Sequence, residues 1–131
     1  MQSFIDHLSV GVSDLDDAQR FYDRALATIG VKRLAATDSF IAYGKDAPQF
    51  LVMLPYDRQA ARAGNGVHIS FTAATHAEVD LFYKTALALG GECAGAPGTR
   101  AGFPGDPDAY MAFVRDPFGN KLEAIANGFA V

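Results

Sequence analysis

Residues 7–30 return at 68–91, displaced by a constant 61 positions. His7, Ser9, Phe21, Tyr22, Ala25, Leu26 and Gly30 become His68, Ser70, Phe82, Tyr83, Ala86, Leu87 and Gly91 without a gap. Such a period marks a doubled supersecondary unit, and few folds accommodate one. Duplicated apolar residues build two halves of a core. A duplicated histidine suggests two half-sites that face each other.

Each copy opens with a strand pattern. Phe4, Leu8, Val10 and Val12 share one face, and His7, Ser9 and Gly11 the other, because side chains alternate along a strand. Val67, Ile69 and Phe71 against His68, Ser70 and Thr72 repeat the division. A helix follows each. Ser13 or Asp14 caps the first, and Leu15, Ala18, Phe21, Tyr22, Ala25, Leu26 and Ile29 form one apolar stripe ending at Gly30. The second is expected over about 76–89, with Val79, Phe82, Tyr83, Ala86 and Leu87 as its stripe. Short strands follow, around 32–36, 39–44 and 49–55 in the first copy and 92–94, 109–115 and 121–126 in the second. Asp116-Pro117-Phe118-Gly119-Asn120 is a turn between the last pair. The chain therefore reads as α+β, with two tandem βαβββ units forming a curled eight-stranded sheet with outer helices. One domain spans 1–131, with unit one at about 1–55, a linker at about 56–66 and unit two at about 67–131.

Composition narrows the function classes. A net charge of −4 argues against nucleic acid, which calls for a basic face. The single Cys93 excludes an internal disulfide and, with no signal-like N-terminus, points to the reducing cytoplasm. No apolar run is long enough to span a bilayer, so no membrane partner is expected.

Ile5-Asp6-His7-Leu8 leading into Val12-Ser13-Asp14, Val67-His68-Ile69-Ser70-Phe71, and Asp116-Pro117-Phe118-Gly119-Asn120-Lys121-Leu122-Glu123 together resemble the vicinal oxygen chelate superfamily. That superfamily includes glyoxalase I, extradiol dioxygenases, methylmalonyl-CoA epimerase, fosfomycin thiol transferases and bleomycin-binding proteins. The resemblance implies metal ligands on the first and last strand of each unit. His7, His68 and Glu123 match three of those positions. The fourth falls near Val52, in a segment without a carboxylate, where glyoxalase I usually has glutamate. Two histidines and one carboxylate suit one divalent metal, Fe, Mn, Ni or Zn, with open positions for a substrate carrying vicinal oxygens. Lyase, dioxygenase, epimerase and thiol transferase chemistries all fit. The competing class is a non-catalytic binding protein that shelters a drug or metabolite, as in bleomycin resistance. The resemblance also implies a homodimer in which His7 joins His68 and Glu123 of a partner.

Plainer readings accompany these. A lone strand histidine is most often structural, and Glu123 taken alone also reads as a solvent-facing carboxylate beside Lys121. Its neighbours Leu122, Ala124, Ile125 and Ala126 are apolar, however, so a buried carboxylate there needs a partner. His76 is expected in an exposed helical turn and Cys93 as a small buried group. The irregular stretch 95–108 reads as a lid or a surface excursion. From it Arg100 would hold an anionic group of the substrate, with Phe103 and the adjacent Tyr110 as further contacts.

Overall fold

The computed structural model describes residues 3–130. In chain order the elements are β1 (Leu8–Gly11), α1 (Leu15–Ala27), β2 (Lys32–Ala36), β3 (Phe40–Gly44) and β4 (Pro48–Met53). The second unit has β5 (Ile69–Thr72), α2 (His76–Ala88), β6 (Glu92–Gly98), β7 (Tyr110–Arg115) and β8 (Lys121–Ala126). Two βαβββ units are present, and their helices begin and end 61 residues apart. The strands are hydrogen-bonded as two four-stranded sheets, β1-β4-β3-β2 and β5-β8-β7-β6. In each, the first strand runs parallel to the last, and the others pair antiparallel. The parallel pairing requires a crossover long enough to hold a helix.

Local chemistry accounts for the helices. Asp14 accepts from the Asp17 amide at 2.9 Å, and Thr75 accepts from Glu78 at 3.1 Å, each satisfying an otherwise orphaned N–H. Both helices close with the same motif. Gly30 (φ 78°) lets the Val31 amide reach the Leu26 carbonyl, and Gly90 (φ 94°) lets Gly91 reach Ala86. The left-handed residue thus comes one position earlier in the second copy.

One core serves both units. Phe21, Tyr22 and Leu26 of α1, Tyr43, Phe50 and Val52 of sheet one, Val79 and Phe82 of α2, and Val114, Leu122 and Ala124 of sheet two belong to a single buried cluster. Each large apolar side chain buried there stabilises the fold by about 1.5–3 kcal/mol. The Phe50 and Phe71 rings meet edge to face at 5.0 Å and join the two sheets. Through this packing the helix-covered faces look inward, leaving Ser9, Leu51 and Met53 on one sheet, and Phe113 and Glu123 on the other, off that core.

A buried polar network ties the units together. Asp116, 3% exposed, accepts from the Tyr22 hydroxyl at 2.5 Å and from the Phe118 and Asn120 amides. The Asn120 side-chain amide donates to Asp116 and to the Gly11 carbonyl at 2.8 Å. One turn of unit two is thereby fastened to α1 and β1 of unit one. Burial, followed by the charge of Asp116, pushes the Tyr22 hydroxyl well above its ordinary pKa.

Three local expectations are corrected. The first strand starts at Leu8, where pairing with Phe50 begins, so Phe4 lies outside the strand whose face it was expected to share and is almost wholly exposed, and Leu8 is exposed as well. β6 continues to Gly98 through two register shifts, so the irregular loop shrinks to 99–109. Cys93 is exposed, because β6 is an edge strand.

Candidate functional site

Both histidines stand immediately ahead of an edge strand, His7 before β1 and His68 before β5. Unit two converges on chemistry. β5 and β8 run parallel with Ser70 opposite Glu123, and this brings His68 Nε2 to 3.1 Å from Glu123 Oε1. Glu123 is 5% exposed, with the aliphatic Leu122, Ala124, Ile125 and Ala126 around it on β8 and Lys121 at the start of the strand. A carboxylate so placed loses hydration, and His68 is its side-chain partner. The pair opens into a cavity of about 310 Å³ with Ser70, Ile125, Phe103 and Phe129 on its walls. Phe103 and Phe129 stack on each other at 4.9 Å.

In unit one His7 is held differently. Its Nδ1 lies 2.6 Å from Asp6 Oδ2, which directs Nε2 away from that contact. It lines another cavity, of about 410 Å³, with Asp6, Gln49 and Phe50, and Ser70 and Thr72 of β5 line both this cavity and that of His68 and Glu123. Strand register also relocates the missing fourth position. Ser9 pairs with Leu51 as Ser70 pairs with Glu123, so Leu51 is the counterpart of the glutamate. Val52, where that position was expected, is fully buried in the core on the opposite face.

The donor set meets the requirements of a metal in part. Two ligands at about 2.1 Å from one ion and at right angles to it lie about 3.0 Å apart, close to the His68–Glu123 spacing. His7 does not join them within the chain, and the described residues contain no group of three His, Cys, Asp or Glu side chains placed to share an ion.

The remaining predicted contacts separate. Phe103 does line the His68–Glu123 cavity. Tyr110 does not. It lies on the core-facing side of β7 with Ala112 and Val114, donates to Asp80 at 2.6 Å and stacks on His76 at 4.1 Å. Arg100 is spent on the backbone, donating to the Ala96 carbonyl at 2.7 Å and the Thr99 carbonyl at 3.2 Å, with its guanidinium over the Phe113 ring. Sequence reasoning missed the Asp6 contact to His7 and the long-range partners of Asp116. The first was visible as an adjacent acid. The second had no sequence signal, since Tyr22 lies 94 residues away.

No helix among the described residues is long and apolar enough to cross a membrane. A family model described as glyoxalase/bleomycin resistance protein/dioxygenase superfamily matches residues 4–124. Among solved structures, a glyoxalase/bleomycin resistance protein from Albidiferax ferrireducens is 37% identical, with a TM-score of 0.87, over 95% of this chain and 99% of that one. A glyoxalase-related enzyme from Fulvimarina pelagi is 20% identical with a TM-score of 0.73, over 97% and 89% of the two chains. A lactoylglutathione lyase from Agrobacterium tumefaciens is 22% identical with a TM-score of 0.66, over 95% and 94%. The last two show the shared fold alone. No curated protein sequence matches the chain significantly.

Proposed function

Because the chain belongs to the glyoxalase/bleomycin resistance protein/dioxygenase superfamily, we propose that it is a metal-dependent enzyme acting on a small substrate with vicinal oxygens. The observation that carries this reading is the buried Glu123 carboxylate, paired with His68 at 3.1 Å and open to a cavity. His68 and Glu123 would hold a divalent ion, of the Fe, Mn, Ni or Zn kind, and His7 of a second protomer would complete the set. Bound there, such an ion supplies a Lewis acid that polarises a carbonyl and offsets negative charge developing on substrate oxygens. The chain's own contributions are separable. Asp6 orients the His7 ring, Phe103 and Phe129 exclude water from one wall of the cavity, and Glu123 is placed to take or return a proton when it is not fully engaged.

The two-protomer arrangement is favoured by the edges. β1 and β5 each have one unpaired side within the chain, and Phe4, Ile5, Leu8 and Val67 expose apolar surface beside them. Pairing β1 of one copy with β5 of another would cover those edges and bring the two half-sites together in a two-fold homodimer. Metal analysis of the purified protein, of His7→Ala and of His68→Ala tests the reading, with sedimentation run alongside. We expect about one divalent ion per chain, its loss in both variants, and a dimer mass. Equal metal content in all three proteins would refute the ligand set. The apolar Leu51 favours the second reading, a small-molecule binding protein without turnover, and a metal-free protein that still binds a ligand would support it.

A further inference from the structure

His68 also borders a second cavity, of about 450 Å³, which Phe103 does not line, and its charged lining residues are Arg115 and Lys121. No carboxylate lines it, although the protein as a whole carries a charge of −4. Arg115 and Lys121 stand directly opposite each other at the end of the β7–β8 hairpin. Like charges in that relation destabilise a sheet. Among the described residues neither is paired with a carboxylate. Both are held in place all the same. Arg115 Nη1 donates to the Gly119 carbonyl at 2.8 Å, and the Lys121 ammonium sits 5.2 Å from the Phe113 ring centroid.

We propose that Arg115 and Lys121 form an anion subsite beside His68, which takes a carboxylate or phosphate group of the substrate. The inference rests on the reading that His68 and Glu123 hold the reacting end. Lys121, Glu123 and Ile125 follow one another on the same face of β8, so three environments line up along one strand. A cationic end is followed by the paired acid and imidazole, then by an apolar wall. The substrate class that fits is a small organic anion with its charged group at one end and its neighbouring oxygens next to it. A bound anion also relieves the repulsion between the two cations, and the planar guanidinium gives it a two-point contact.

The test uses the full chain, freed of metal by a chelator that is then removed, and inorganic phosphate and malonate as probes. Amide shifts of Asn65, Gly66 and Lys121 are followed by NMR during titration. We expect saturable shifts with at least one anion, and the stronger binder identifies phosphate or carboxylate as the group preferred. The double variant Arg115→Gln/Lys121→Gln should bind about tenfold or more weakly, and Lys121→Arg should keep most of the affinity. Without anion, Lys121→Gln should melt at the wild-type temperature or above, because a repulsion has been removed. No saturable shift with either probe, undiminished affinity in the double variant, or a clearly lowered melting point in Lys121→Gln would each overturn the proposal. Metal loss in His68→Ala is measured separately, so a failure of the metal reading leaves a distinct signature from a failure of the subsite.

Discussion

Replacing Tyr22 with phenylalanine removes one hydroxyl and leaves the ring, whose contacts with Phe21 at 4.9 Å and Phe50 at 5.4 Å persist. The hydroxyl is the donor that unit one supplies to Asp116, and both residues are buried. A hydrogen bond to a buried charge contributes about 1.5–3 kcal/mol, and Asp116 would keep its three donors from Phe118 and Asn120. The loss should therefore fall within that range. For a chain of this length, each kcal/mol moves the melting midpoint by about 3–5 °C, so Tyr22→Phe should melt about 5–15 °C lower. The repeat supplies its own control. Tyr83 occupies the matching position in unit two but is only partly buried, beside Cys93. Tyr83→Phe should leave the melting point essentially unchanged. Urea unfolding should show a lower midpoint for Tyr22→Phe with the same slope, since the surface exposed on unfolding does not change. Equal midpoints for the two variants would refute the claim that this bond fastens the units together.

Stability should fall as pH rises above about 10. Tyr22 and Tyr43 keep their protons in the fold, raised first by burial and then by Asp116 and Asp23 respectively. The unfolded chain ionises them at the ordinary value of about 10, so it binds fewer protons there and gains on the folded state. Urea midpoints measured from pH 8 to 11 check this, and a flat profile would contradict it. Leu51→Glu places a carboxylate at the register counterpart of Glu123. If the two half-sites meet, it should raise divalent-metal affinity by about tenfold or more, read by competition with a chromogenic chelator. Arg100→Ala should loosen residues 96–109, seen as faster amide exchange. Its affinity for phosphate or malonate should stay within about twofold, because its guanidinium serves backbone carbonyls. A tenfold loss would return Arg100 to the substrate.

The 61-residue offset determined a doubled βαβββ chain, and periodicity with caps placed both helices, because helix formation is decided by side chains three and four positions apart. The same local information suggested that Glu123, with Leu122, Ala124, Ile125 and Ala126 around it, needed a partner if buried. Everything that depended on which strands meet, and in what register, waited for the tertiary structure. A shift of one residue in a parallel pair turns every side chain to the other face. That is why the empty fourth position is Leu51 rather than Val52, why Tyr110 faces the helix, and why Arg115 stands opposite Lys121. His68 meets Glu123 across 55 residues, and Tyr22 meets Asp116 across 94, through packing that leaves no mark in any short window of sequence. The repeat made both histidines visible. Only the fold separated them, because the two sheets share one core and present their histidines to different cavities.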